Sequence, residues 1–300
     1  MLGDSSLKYR VREDRITGWL LKAPVLIAVG MLVLFFVVLT AKSWPLLTGG
    51  HFWQVLTSSE WLPSEGKFGL WPFIIGTIAV TFLTMVLAVP VSVLAAVFLN
   101  EFAPQKLKDM ALPVIDVLAA VPSVIYGACG VIAFIPMVKA LGGALGINTT
   151  GRCLLTAALV LAIMVIPVIL SIVRDVLAAI PQEAREASLA LGSTRWETTY
   201  KVVLKLALPG IIAAIMLGVS RAFGETMAVM MVAGSIPEPK PSLFKAVYTL
   251  PALIADKYGE MLSIKMYDVA LMTAALILMV VIAVVNFGAH LILIRLRRRY

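Results

Sequence analysis

Charge is what this 300-residue sequence has least of: only 14% of its residues are Asp, Glu, Lys or Arg, about half the share usual in a soluble domain. Hydrophobic residues make up 61% and the mean hydropathy is +0.98. A water-soluble fold of this size could not cover so much apolar surface with polar groups. The same composition excludes disordered, collagen-like and disulfide-scaffold classes. Cysteine is scarce as well: Cys129 and Cys153 fall in or beside apolar runs and read as small hydrophobes. His51 and His290 stand alone, without a second ligand at coordination spacing, so neither a metal nor another cofactor is expected. Nor is there a G-x-x-x-x-G-K-[ST] phosphate loop. The chain is therefore not expected to hydrolyse ATP, and any such energy must come from a partner.

What the sequence does have is long apolar runs. A helix needs roughly 20 apolar residues to cross about 30 Å of hydrocarbon. Six segments qualify, at about 24–41, 72–99, 112–138, 153–173, 206–233 and 269–294. No linker or low-complexity stretch divides them, so the expectation is one all-α transmembrane domain over 1–300. The first run is followed by Lys42-Ser43-Trp44-Pro45, which is not the small-residue site of a cleaved signal peptide.

The net charge of +8 is distributed unevenly. With the N-terminus placed inside, Lys8, Arg10, Arg12, Arg15 and Lys22 are cytoplasmic, and so are Lys106 and Lys108. Arg174, Arg185, Arg195, Lys201 and Lys205 between the fourth and fifth spans join them, as do Arg295, Arg297, Arg298 and Arg299. The opposite loops carry half as many basic residues and instead hold Trp44, Phe52, Trp53, Trp61 and Trp71. The positive-inside rule and the aromatic belt both put the N- and C-termini in the cytoplasm. The basic tail reads as an anchor at the lipid surface rather than a nucleic-acid patch.

The polar segment before the fifth span is punctuated like a helix-turn-helix. Pro181 suits the first turn of a helix, good helix formers follow to Leu191, and Gly192 fits a left-handed cap. Thr194 and Glu197 then have the spacing of a capping box opening a second helix. In the helix spanning 182–192, Glu183 and Glu186 lie towards the N-terminal end, where the dipole favours negative charge. Ala187, Ala190 and Leu191 share a face, with Ala184 near it. Spacing alone is also satisfied by a surface helix in which Arg185 pairs with its acidic neighbours.

Glu186-Ala187-Ser188, three further residues and Gly192 resemble the EAA loop of ABC importer permeases. There the loop forms a coupling helix that inserts into a groove of the ATP-binding subunit. The resemblance assigns docking on the ATPase to Glu183, Glu186, Ala187 and Gly192. Ser188 stands where the pattern has its second alanine, and Lys205 where it has a proline, with Pro209 following.

One arginine falls inside an apolar run. Arg221 lies in Arg221-Ala222-Phe223-Gly224-Glu225, read as the middle of the fifth helix, where a charge costs at least about 2.5–3.5 kcal/mol. Four residues apart, Arg221 and Glu225 would share a helical face. Such charges are by default a pathway, the alternative being a structural pair between helices. Arginine presents a planar donor fork matched to oxyanions, and Glu225 could compete for it so that a bound ion leaves again.

Further stretches resemble the PstC-type permeases of phosphate ABC importers. They are Phe73-Ile74-Ile75-Gly76-Thr77, Ala88-Val89-Pro90, Asn100-Glu101-Phe102-Ala103-Pro104, Val121-Pro122-Ser123-Val124-Ile125-Tyr126-Gly127, and the run from Arg221 to Val229. The resemblance implies a type I ABC importer permease (MetI-like) fold and a bacterial inner-membrane location. It also implies a PstA-type second permease, two PstB-type ATP-binding subunits, a periplasmic phosphate-binding protein and inorganic phosphate as substrate. Arg221 and Glu225 take the positions of the family's pathway pair. Another oxyanion such as sulfate or molybdate, and an ion-driven secondary transporter, remain as alternatives.

Overall fold

The computed structural model describes residues 4–48, 52–259 and 266–297. His51, Lys265, Arg298 and Arg299 lie outside them. The chain is helical almost throughout. α1 (Asp4–Thr48) is followed by short α2 (Phe52–Thr57) and a two-stranded hairpin, β1 (Trp61–Leu62) with β2 (Lys67–Phe68). Next come α3 (Trp71–Val97), α4 (Gln105–Ala120), α5 (Ser123–Cys129), α6 (Ile135–Ala144) and α7 (Leu154–Ala178). After α8 (Gln182–Ala190) follow α9 (Arg195–Thr198), α10 (Leu204–Phe223), α11 (Met227–Val232), α12 (Leu250–Lys257) and α13 (Tyr267–Arg297). Wide π turns at Phe98–Phe102, Gly130–Phe134 and Thr199–Val203 extend α3, join α5 to α6 and join α9 to α10.

Six of these stretches are long and apolar enough to cross a membrane: Trp19–Leu46, Trp71–Phe102, Ser123–Ala144, Leu154–Ala178, Arg195–Phe223 and Tyr267–Arg295. Two differ from the sequence reading in more than their ends. The third run, read as one proline-broken helix over 112–138, is two helices. α4 stops at Ala120, Val121 is extended at φ −62° and ψ 130°, and the span proper starts at Ser123. Pro122 explains the break, because a proline disfavours helical geometry in the residue before it. Asp116 consequently sits exposed on α4 rather than near the end of a span. The fifth run does not continue to 233: α10 ends at Phe223 and α11 starts anew at Met227.

α7 is the axis of the bundle. It is apolar all round, as a helix surrounded by others must be. Its core residues Ala157, Leu161, Val165, Ile169 and Val173 are inaccessible to solvent. α3 lies against it along a stripe of small and hydroxyl side chains, Thr77, Thr81, Thr84, Ala88, Ser92 and Ala96, all buried. Small residues let helix backbones approach in a membrane, where packing rather than water exclusion drives association. The Ser92 hydroxyl lies 2.7 Å from the Ala88 carbonyl and 3.3 Å from that of Ile166 on α7. On the other side α10 closes on α7 through Gly210, against Val176, and Gly218, against Ile169 and Val165. A Cβ on Gly218 would come within 2.6 Å of Ile169 Cδ1. Gly218→Leu should therefore destabilise the bundle by about 1–3 kcal/mol, read as a lower midpoint of thermal unfolding in detergent.

At the end of the bundle where α7 begins, a second cluster forms from Phe68, Leu70, Phe73, Tyr248, Leu253 and Tyr267. Trp61 packs edge-on to Phe68, Phe73 and Tyr267, whereas Trp44 and Trp53 stay exposed. α1 is the opposite of α7: no residue of its apolar window is buried, and it leans on α13.

Candidate substrate pathway and coupling surface

The breaks in the third and fifth spans meet. α5 packs against α11, and Gly127 makes this possible: a Cβ there would lie 2.7 Å from Met231 Sδ and 3.1 Å from the Ala228 Cα. Tyr126 bridges the break below it by donating its hydroxyl to the Leu118 carbonyl at 2.7 Å. At the other break, residues 224–226 leave the helix. Glu225 turns its carboxylate onto the start of α11, where Oε1 accepts the Ala228 N–H at 3.1 Å. A carboxylate suits the free amides and positive dipole of a helix start. Non-helical backbone at membrane depth is tolerated where it is buried in protein or lines a water-filled cavity.

Arg221 occupies the last turn of α10, not the middle of a longer helix. Its depth follows from the helix beside it. Gly210 is level with Val176 and Gly218 with Ile169 and Val165, so α10 runs antiparallel to α7. Three residues beyond Gly218, Arg221 comes to about the level of Met164. That is about 15 Å along α7 from Leu154 at 1.5 Å per residue, well within the span Leu154–Ala178. The side chain is exposed on the isolated chain. Arg221 and Glu225 are not the helical i,i+4 pair expected from their spacing. The helix ends between them, and among the described residues no salt bridge links the two; Glu225 is half-buried and committed to the α11 cap. The neighbouring Ser220 hydroxyl lies 2.7 Å from Asn286 Oδ1 on α13, a polar residue the sequence reading passed over.

The polar segment at the far end of α7 folds as its local chemistry dictates. Pro181 directly precedes α8 in extended conformation. Gly192 takes φ +84°, donates to the Leu189 carbonyl at 2.9 Å and closes the helix, and Ser193 N–H reaches the Ser188 carbonyl at 3.4 Å. These are the two bonds of a Schellman cap. The capping box forms: Thr194 Oγ1 accepts from the Glu197 N–H, and the Glu197 carboxylate from the Thr194 N–H. α8 turns Ser188 inward, buried, with its hydroxyl 3.0 Å from that of Thr198 on α9. Ala184 is half-buried. Glu183, Glu186, Ala187 and Gly192 all face outward, and Leu191 is 89% exposed. Arg185 does not pair with the acidic residues of its own helix. It reaches Glu101 at 3.0 Å, an ion pair in which both side chains are less than 15% exposed. The available signal was that Glu101 is the sole charged residue between Lys67 and Lys106.

Six apolar spans, five of them arranged about the sixth, α7, with a short polar helix presented at one end, define a type I ABC importer permease of the MetI-like fold. The chain belongs to the family of binding-protein-dependent transport system inner membrane components, whose pattern matches residues 88–299. Its relatives include a phosphate transport system permease protein PstC of Xylella fastidiosa, 38% identical over 262 residues, covering 81% of this chain and 79% of that protein. A probable ABC transporter permease protein YqgH of Bacillus subtilis is 37% identical over 240 residues, covering 79% and 76%. Among solved structures, the fold matches a bacterial ABC transporter involved in the import of the acidic polysaccharide alginate. There the TM-score is 0.64 at 15% identity, over 95% of this chain and 99% of that one. The MetNI methionine ABC transporter in inward-facing conformations matches with a TM-score of 0.55 at 22% identity, over 76% and 94%.

Proposed function

We propose that this protein is the PstC-type, non-catalytic permease subunit of an ATP-driven inorganic phosphate importer. The observation that carries the substrate is the 38% identity to PstC over four-fifths of the chain. The geometry supports it independently: an arginine stands inside the membrane span, uncovered on the isolated chain, where two broken spans meet. A bare guanidinium at that depth is too costly to face lipid. A second, PstA-type permease covers that face, and the oxyanion passes between the two halves beside Arg221, with Glu225 as the counter-charge. A periplasmic phosphate-binding protein delivers the ion, and two PstB-type subunits hydrolyse ATP. They dock on Glu183, Glu186, Ala187 and the turn at Gly192. The α8 end of the bundle and both termini are cytoplasmic, as the excess of arginine and lysine there requires.

The test is radiolabelled phosphate uptake in a strain deleted for its own permease and supplied with this chain and its partner subunits. Saturable uptake that excess unlabelled phosphate suppresses and excess sulfate or molybdate does not is the expected result. Suppression by sulfate or molybdate at equal concentration would reassign the substrate.

A further inference from the structure

Among the described residues, the side chains of α8 bond to the rest of the molecule in three directions, and only one reaches α3. Towards α9 it has the Ser188–Thr198 hydroxyl pair. Towards α7, Arg185 Nη1 donates to the Ile180 carbonyl at 2.6 Å and Nη2 to the Leu177 carbonyl at 2.8 Å, which also accepts the Ile180 N–H at 3.3 Å. Towards the α3 end there is the Arg185 bond to Glu101 Oε1. That oxygen also accepts from Asn100 Nδ2 at 2.8 Å, and Lys108 Nζ holds the Asn100 carbonyl at 3.0 Å.

One aromatic contact runs beside this bond, though from α9 and not from α8: the ring centroids of Phe102, at the end of α3, and Trp196 lie 6.3 Å apart. A polar cavity of about 410 Å³ lies between α8 and the α3 end, lined by Asn100, Glu101, Gln182, Arg185, Arg195 and Thr199 among others. Two of the segments lining it, besides α7, α8 and α9, are π turns: Phe98–Phe102 carrying Glu101 and Thr199–Val203 carrying Thr199. Such turns interrupt the regular helical ladder and gather at functional sites. One guanidinium thus holds three groups on two spans across a gap, next to segments built to bend. Arg185 is suited to this and lysine is not, because only the planar fork spreads its donors over a carboxylate and two carbonyls.

We infer that Glu101 and Arg185 are positioning residues of the transport cycle: through their ion pair a displacement of α8 is carried to α3 as well as to α7. The inference rests on the reading of α8 as the helix that docks on the ATPase. A merely structural pair would affect stability and assembly alone. A transmitting pair affects how much transport each hydrolysed ATP yields.

The experiment uses the complete transporter in proteoliposomes, with labelled inorganic phosphate and its loaded binding protein. Uptake and ATP hydrolysis are measured on the same sample. Wild type is run alongside: absence of ATP-driven phosphate uptake by wild type would overturn the function reading itself, not the role of the pair. Glu101→Gln keeps size and one acceptor while removing the charge. It is expected to copurify with the ATPase and retain basal hydrolysis within about twofold, while phosphate moved per ATP falls at least about fivefold. Arg185→Lys should fall between the two. If Glu101→Gln does not assemble, Glu101→Asp is read instead, with the carboxylate kept one methylene short. A wild-type ratio of phosphate to ATP in an assembled variant overturns the inference, and so does failure of both Glu101 variants to assemble, which would make the pair purely structural.

Discussion

Arg221→Gln should lower phosphate uptake by about ten- to a hundredfold while leaving assembly with the partner subunits intact. The magnitude follows from what is lost. A hydrogen bond to a charged group contributes about 1.5–3 kcal/mol, and each 1.4 kcal/mol is a factor of ten. The fold of this chain should survive because Arg221 is exposed on it and no salt bridge ties it to another described residue. Glu225→Gln is the sharper probe. Its Oε1 caps α11 by accepting the Ala228 N–H, and the Gln amide oxygen can take over that bond, so only the negative charge disappears. Without a competitor for Arg221, a bound oxyanion leaves slowly, and uptake should again fall to near background. Arg221→Lys separates charge from shape: it retains a point charge but not the fork, and intermediate uptake is expected. Wild-type rates in both Arg221→Gln and Glu225→Gln would discard the site. Copurification with the ATP-binding subunits and equal expression provide the control.

Legibility in the sequence depended on how local the chemistry was. The turn after α8 could be read residue by residue, since a left-handed glycine and a Thr–Glu capping box are decided within four or five positions. Gly192 and the Thr194–Glu197 box take the predicted forms. The six spans were legible for a similar reason: apolar length is a property of a run. Where helices end inside an apolar run, length says nothing. Residues 112–138 carry a single charge, Asp116, and their hydropathy does not show that they are cut at Val121; only the proline that follows marks the break. Hydropathy likewise continues through Met227–Val232, although the chain has left the helix at Gly224. For that reason Arg221 and Glu225 were recognised as a charged pair but given the wrong geometry. Of the Glu101–Arg185 bond the sequence marked one member, Glu101 alone in its apolar stretch, but not its partner, for the two are 84 positions apart and Arg185 had nearer carboxylates at helical spacing. Only the placement of α8 against the ends of α3 and α7 decides between them.

Removal of residues 183–192 should abolish phosphate uptake while leaving the membrane bundle folded. α8 buries Ser188, half-buries Ala184 and Arg185, and otherwise points outward, and none of the three belongs to the apolar core around α7. The deletion also removes Arg185, however, and with it the guanidinium bonds to the Leu177 and Ile180 carbonyls and to the Glu101 carboxylate. A single substitution isolates docking from that network. Leu191 is 89% exposed just beyond α8, an apolar side chain with nothing to hold in this chain. Exposed to that degree, it can be replaced by Asp at almost no cost to the isolated subunit. If it enters a groove of the ATPase, its loss behaves as that of an interface anchor, about 2 kcal/mol or more, weakening association about thirtyfold. Leu191→Asp is thus expected to retain wild-type thermal unfolding of the purified permease, to recover far less ATP-binding subunit on affinity purification, and to lose uptake in proportion. Full recovery of the ATPase subunit together with normal uptake would show that α8 and its terminal turn are not the surface through which ATP drives this bundle.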